Sequence, residues 1–515
     1  MAKGTLEEAE KCYRQALALD PDLAEAYNNL GLVLDKLERF GESVDCYLKA
    51  LSIDPAHAAT CLNLGNWHRA HGNAAEQVHY YEKALSLKPD YCEAHNNLGS
   101  YFQAQGKLDE AVACFEKALV LKPDYVWAML NMAMCYRAQG DAEAETSWLR
   151  KALIAAPQCA AAHSQLGFIA FENGEHALAE RHFREALACD PDFHHVHFNL
   201  GTLLLMQGNY AEGLELYEAR FKLYPKQILG YDTDYFPVTC RAPRWGGKDL
   251  EGKTILLWAE QGLGDNLMMM RYLPELLKQG CRKLVVNSRP ELSRIFHHLP
   301  YPVEVVETEE ALRKGTYDYH CPLTSLPYLL GTRLETIPHE TPYIFVPEDM
   351  KRQWAERLAA LPGLKVGLVW TGNKSLTRDA LRSVSFETFE PLKTIPGITF
   401  ISLQKGESAE QARHADWIVR DYIEECRDFL DTASLVENLD LVISVDTSTV
   451  HLAGALGKPV WLLNRFESEW RWMIGREYSP WYPTIRIFRQ PTLHDWASVM
   501  ARIVSELGAW ATAVT

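Results

Sequence analysis

Three short segments of this 515-residue chain gather the residue types that handle a phosphorylated substrate. The first is Glu260-Gln261-Gly262-Leu263-Gly264-Asp265-Asn266, which follows an apolar run and precedes a helical pattern reaching to about Lys278. Gly262 and Gly264 allow a tight turn that opens a helix with free backbone N–H groups, a ready anion site. Asp265 falls at the helix start, where a carboxylate caps such groups. The third glycine of a dinucleotide fingerprint is missing, which disfavours NAD. The second segment is Val366-Gly367-Leu368-Val369-Trp370-Thr371-Gly372-Asn373-Lys374, with Arg378 and Arg382 beyond it. A departing diphosphate needs backbone donors and fixed positive charge, and this segment supplies both. The third runs from Leu439 to Val460. There a buried strand ends at Asp446, and Thr447, Ser448 and Thr449 open a small-residue helix that carries His451. That terminus presents N–H groups and hydroxyls to an anion.

Such segments need strands to aim them. From Gly252 onward, short apolar runs alternate with helical patterns, as in parallel α/β folds. Strands are predicted at Ile255–Ala259, Lys283–Asn287, Val303–Val306 and Asp318–His320. After a break near Pro347 they are predicted at Lys365–Trp370, Ile398–Leu403, Trp417–Val419, Leu439–Val445, Pro459–Leu463 and Ile485–Phe488. The expected division is a lobe over 254–346 and a second, nucleotide-sugar-binding lobe over 347–515. Two Rossmann-like lobes facing a cleft put the site at the carboxyl ends of their strands. Residues 226–253, rich in Gly, Pro, Tyr and Asp, read as a linker.

The first 225 residues are repetitive. Prolines at 21, 55, 89, 123, 157, 191 and 225 are all 34 residues apart, the tetratricopeptide (TPR) period. Leu30-Gly31, Leu64-Gly65, Leu98-Gly99, Met132-Ala133, Leu166-Gly167 and Leu200-Gly201 recur in phase. So do Ala50-Leu51, Ala84-Leu85, Ala118-Leu119, Ala152-Leu153 and Ala186-Leu187. The expectation for 1–225 is an α-solenoid: helix B of a partial repeat, then six full repeats. The residue before each Leu-Gly pair forms a polar column: Asn29, Asn63, Asn97, Asn131, Gln165 and Asn199. Carboxamides donate and accept at once, so such a ladder suits the backbone of a bound peptide.

Composition narrows the partners. The net charge of −16 disfavours nucleic acid. No run is long enough to span a membrane, the opening residues are not a secretory signal, and a cytoplasmic setting is expected. Twelve cysteines, none closer than 15 residues to the next, form no CxxC motif. His197 shares a column with Tyr27, His95, Met129 and His163, a packing position, so His194, His195 and His197 read as core or surface histidines and no metal is expected.

Residues 226–515 resemble the glycosyltransferase domain common in bacterial TPR proteins. More distantly they are similar to the lipopolysaccharide heptosyltransferases and to O-GlcNAc transferase, which has a like asparagine ladder. Glu260–Asn266, Gly367–Asn373, Arg382-Ser383, Ser402-Leu403-Gln404-Lys405-Gly406, Ile443–Lys458 and Ser479-Pro480-Trp481-Tyr482-Pro483 carry the likeness. It implies a GT-B fold and inverting, metal-independent transfer from a nucleotide-sugar co-substrate, with no other cofactor. By that likeness Asp265 is the base and Arg382 fills a phosphate-contacting lysine position, with Val384 where the relatives have tryptophan. Asp446 would hold donor sugar or ribose. Gly262, Gly264, Thr371, Gly372, Asn373, Lys374, Gln404, Thr447, Ser448, Thr449 and His451 would complete the donor site. Asp232-Thr233-Asp234 matches the acidic motif of metal-dependent transferases but lacks the preceding strand. The expected acceptor is Ser or Thr of a protein held by the repeats, with flagellin or another surface protein as candidates. A second copy of this chain is a candidate partner. Two alternatives stay open: an adaptor whose transferase domain is silent, and transfer to a lipid-linked glycan.

Overall fold

The computed structural model describes residues 3–223, 242–260, 262–308, 312, 315–372 and 379–514. The chain forms two compact units, Met1–Ile169 with Arg184–Pro191, and Ala170–Phe183 with Asp192–Thr515.

Helix α1 (Lys3–Leu19) is followed by pairs at the expected period: α2 (Ala24–Lys36) and α3 (Phe40–Ile53), α4 (Ala58–Ala70) and α5 (Ala74–Leu87), α6 (Cys92–Ala104) and α7 (Leu108–Leu121), α8 (Val126–Gln139) and α9 (Ala142–Ala155). The period continues through α10 (Ala160–Glu172), α11 (His176–Cys189), α12 (His194–Gln207) and α13 (Tyr210–Tyr217). The N-terminal helices thus form a TPR solenoid. The recurring glycine is what lets each pair close. A Cβ on Gly31 would stand 2.5 Å from the Tyr47 ring, and one on Gly99 2.6 Å from Phe115. Larger residues there would force the helices apart. The turn within each pair has its own periodic residue. Gly72, Gly106, Gly140, Gly174 and Gly208 all have positive φ, and Glu38 (φ 61°) holds the same place in the first pair. The cysteines that share one column differ in setting: Cys12 is exposed, Cys46 half-buried and Cys114 buried. A shared column therefore does not fix burial.

The second unit contains two parallel sheets. The first has the order β3-β2-β1-β4, from β1 (Thr254–Trp258), β2 (Lys283–Asn287), β3 (Val303–Val306) and β4 (Tyr319–Pro322). The second has the order β10-β9-β8-β5-β6-β7, from β5 (Leu364–Val369), β6 (Ile398–Ser402), β7 (Ile418–Val419), β8 (Leu441–Val445), β9 (Val460–Asn464) and β10 (Ile485–Arg489). Every ladder is parallel. β1, β8 and β9 are buried along their whole length, which is why they read as unbroken apolar runs. Chain order reverses direction between β1 and β4 in one sheet and between β5 and β8 in the other. These are the switch points at which open parallel sheets leave a crevice at their carboxyl ends. The glycine segment follows β1, Thr371-Gly372 follows β5, and Asp446-Thr447 follows β8.

The end of the repeat array belongs to this second unit. Leu205, Met206, Tyr210, Leu214 and Tyr217 share one buried cluster with Trp470, Trp472 and Trp481. The Trp481 indole donates to the Tyr210 hydroxyl at 3.1 Å, and the Ile474 N–H donates to the Met206 carbonyl at 3.0 Å. A period read along the chain carries no information about which core a repeat joins, so the expected boundary at 225 cuts across this cluster. The second half of the expected linker is also integrated. Trp245 and Leu250 are buried, and the Trp245 N–H donates to the His320 carbonyl at 2.8 Å. Asp232-Thr233-Asp234 lies outside the described residues.

Candidate functional site

Gly262 is the N-cap of the Leu263–Met269 helix, with φ −59° and ψ 163° and no side chain to cap the helix. Asp265 therefore sits inside the first turn rather than at the cap, with its N–H donating to the Gly262 carbonyl at 3.1 Å. Gly264 faces the Ser448–Ala455 helix. A Cβ there would stand 2.5 Å from the His451 ring, so the glycine is required by close packing between segments nearly two hundred positions apart. This contact joins the carboxyl ends of the two sheets.

The carboxylate of Asp265 takes a guanidinium N–H from Arg471, a residue outside every motif read from the sequence. Both side chains are almost wholly enclosed, at 12% and 11% exposure. Burial raises the Asp265 carboxyl above its usual range, and Arg471 works against that rise. Asp446, at the end of β8, is raised as well. Burial and the neighbouring Glu469 carboxylate push it up, against Arg382, the Trp472 indole and Arg471. Arg471 and Glu469 thus act on both Asp265 and Asp446, and Arg382 acts on Asp446.

Thr447 occupies the N-cap of the Ser448–Ala455 helix, yet its side chain makes no capping bond. Its hydroxyl lies 3.2 Å from the Ser444 hydroxyl instead. Side-chain capping therefore does not consume the free N–H groups of that first turn. His451 is buried, with Nδ1 3.0 Å from the Tyr482 hydroxyl and its ring stacked on Trp472. Burial, with Arg471 and Arg271 nearby, drops its pKa well below the usual value. Its ring packs against the glycine segment and is held toward the neutral form.

After β5, Gln404 accepts from the Thr371 and Trp370 N–H groups at 2.9 and 3.1 Å. Its side chain is spent on holding the β5 turn. Gly372 donates to the Ser383 hydroxyl at 3.0 Å, and Ser383 donates to Asp379 at 2.8 Å. Arg382 Nε donates to the same carboxylate at 2.9 Å. A Cβ on Gly372 would lie 2.7 Å from Arg382 Nε. The Thr371 hydroxyl is buried without a partner among the described residues. Asn373 and Lys374 lie outside the described residues.

Glu260, the first residue of the glycine segment, is fully buried and structural. Arg220 Nε donates to it at 3.0 Å, and the Thr324 N–H donates to it at 3.1 Å. Arg220 also reaches Glu218 at 2.6 Å and the Ser325 hydroxyl at 2.8 Å.

In the repeats, the polar column is half-buried and partly self-satisfied. Asn63 donates to Asn28 at 2.8 Å, Asn97 to Asn66 at 2.8 Å, and Asn131 to Asn96 at 2.9 Å. Each amide clamps its repeat to the one before. The Asn29 side chain accepts from Asn28 at 3.2 Å. Gln165 belongs to the same unit and Asn199 to the other. Asn131 also donates to the Ser100 hydroxyl at 3.3 Å, and acceptor capacity beyond these clamps remains on each carboxamide oxygen.

Comparison with known proteins agrees with the repeat reading. Models described as TPR or tetratricopeptide repeat match residues 1–38, 24–57, 57–88, 90–158 and 164–227. The chain is 31% identical over 328 residues to Protein FlbA of Caulobacter vibrioides, covering 58% of this chain and 52% of that protein. It therefore spans about half the length of this curated relative. Among solved structures it is similar to MamA, at 22% identity over 30% of this chain and 90% of that one, TM-score 0.27. It is also similar to YrrB, described as a TPR protein with an unusual peptide-binding site, at 20% identity over 35% and 93%, TM-score 0.29. The N-terminal half is a TPR array. No helix among the described residues is long and apolar enough to cross a membrane.

Proposed function

We propose that the chain transfers a sugar, with inversion, from a nucleotide-activated donor to a hydroxyl of a polypeptide held by its repeats. The observation that carries this reading is the meeting of the two switch points. Gly264 touches His451 across the sheets, and Asp265 and Asp446 are brought into one charged cluster. In the proposed step the acceptor oxygen attacks the anomeric carbon and the carbon–phosphate-oxygen bond breaks. The hydroxyl proton passes to Asp265. Asp446 holds a hydroxyl of the sugar or ribose. Arg382 and the uncapped N–H groups at Ser448 and Thr449 take the charge that develops on the leaving diphosphate. A carboxyl raised by burial is a better base than an exposed one, which supports the assignment of Asp265.

One observation favours a second reading, an adaptor that binds nucleotide without turnover: Arg471 already engages the carboxylate of Asp265. The full-length protein incubated with UDP-, GDP- and ADP-sugars, with and without a cell extract as acceptor pool, separates the two. Sugar transfer predicts release of nucleoside diphosphate from one donor, slowed about 10²–10⁴-fold by Asp265→Asn. Binding with no release from any donor would leave the adaptor reading.

A further inference from the structure

We infer that Arg471 is a second cation, beside Arg382, that receives the donor's diphosphate, so that diphosphate binding and the freeing of Asp265 are one event. This rests on the sugar-transfer reading and adds to it a residue that pairs with the base.

Arg471 follows the carboxyl end of β9, on the same side of the sheet as Asp446. It is buried, and its guanidinium lies 4.7 Å over the Trp470 ring. One terminal nitrogen serves Asp265 and the other Glu469, at 3.3 Å. Its Nε is buried with no acceptor among the described residues, and so is the amide nitrogen of Asn266 beside Asp265. Buried donors left without acceptors are costly, and an arriving oxyanion relieves that cost. A phosphate suits an arginine fork because its oxygens accept two parallel N–H bonds. Arg382 is less free to do this, since its Nε is committed to Asp379, which Ser383 also holds. Three carboxylates, Asp265, Asp446 and Glu469, already compete for the local positive charge. A diphosphate must therefore take Arg471 from one of them. When it does, Asp265 loses the partner that occupies its proton-accepting oxygen.

The consequence is a specific coupling. Removing the charge of Asp265 should tighten diphosphate binding, and only while Arg471 is present. UDP, GDP, ADP and CDP would be titrated by calorimetry into wild type, Asp265→Asn, Arg471→Gln and the double variant. Unfolding temperature is followed in parallel. We expect Arg471→Gln to weaken the nucleotide that binds by about tenfold or more. Asp265→Asn should tighten it several-fold, and that gain should vanish in the double variant. If Arg471→Gln fails to fold, Arg471→Lys takes its place. It keeps the charge without the fork and should bind with intermediate affinity. Wild-type binding unchanged by either Arg471 variant, or a gain from Asp265→Asn that persists without Arg471, would overturn the inference and leave the transfer reading standing. If wild type binds none of the four, the transfer reading itself falls and takes this inference with it.

Discussion

At the scale of single residues, the site is a set of polar groups removed from water, and burial decides what each can do. His451 shows this most directly. An imidazole in water protonates near pH 6.5. Inside the unit, with Arg471 and Arg271 adjacent, it stays neutral to a far lower pH. Between those two values the unfolded chain holds a proton that the folded chain does not, so stability falls as pH drops below about 6.5, by at most about 1.4 kcal/mol per pH unit from this group. Half-buried His320 and His176, also lowered, add to that slope. Urea midpoints at pH 7.5, 6.5 and 5.5 should decline toward acid in wild type and decline less in His451→Gln. Parallel slopes would show that His451 is not the titrating group. Gln404 makes the complementary point, because the family likeness implied donor binding while its carbonyl is occupied by two backbone N–H groups.

Among the elements, the repeat turns expose a local conflict. Five glycines at 34-residue spacing adopt a left-handed conformation, and Glu38 must do the same with a side chain. That conformation costs a residue other than glycine about 1 kcal/mol. Glu38 is exposed, so replacing it removes no buried contact. Glu38→Gly should therefore raise the stability of the repeat unit by about 1 kcal/mol, less the entropy that glycine adds to the unfolded chain. Chemical unfolding followed by helical circular dichroism measures it, and a loss of stability would mean that the carboxylate has a role which the strain conceals. The carboxamide column likewise serves the element before any ligand, since Asn63, Asn97 and Asn131 each fasten one repeat to its neighbour.

Over the second unit as a whole, Arg220 and Glu260 tie the turn after α13 to the glycine segment of β1. Both side chains are fully enclosed. Removing one partner strands a buried charge, which costs about 3–5 kcal/mol, whereas replacing both with apolar or neutral groups costs much less. Arg220→Met should therefore destabilise the unit more than Arg220→Met combined with Glu260→Gln. Additive losses in the double variant, measured by guanidinium unfolding, would refute a direct pairing role. The terminal repeat is thus part of the α/β core, and the glycine segment is placed from the repeat side as well as from its own strand.

What local chemistry controls was legible from the chain. The 34-residue proline period located the helical pairs, because proline and glycine act on the backbone within a turn. The strands fell at or beside the apolar runs, most sharply β1, β8 and β9, since a strand covered on both faces has few polar positions to confuse it. The glycine segment and Asp446 were legible because strand ends and helix starts have fixed residue needs. Arg471 was not, and neither was the structural duty of Glu260 or the absorption of α12 and α13 into the second unit. Those depend on partners 206, 40 and 271 positions away. An arginine in a loop carries no mark of the carboxylate it will meet. Only the folding of two separate sheets, with their carboxyl ends brought together by the contact of Gly264 with His451, determines that pairing.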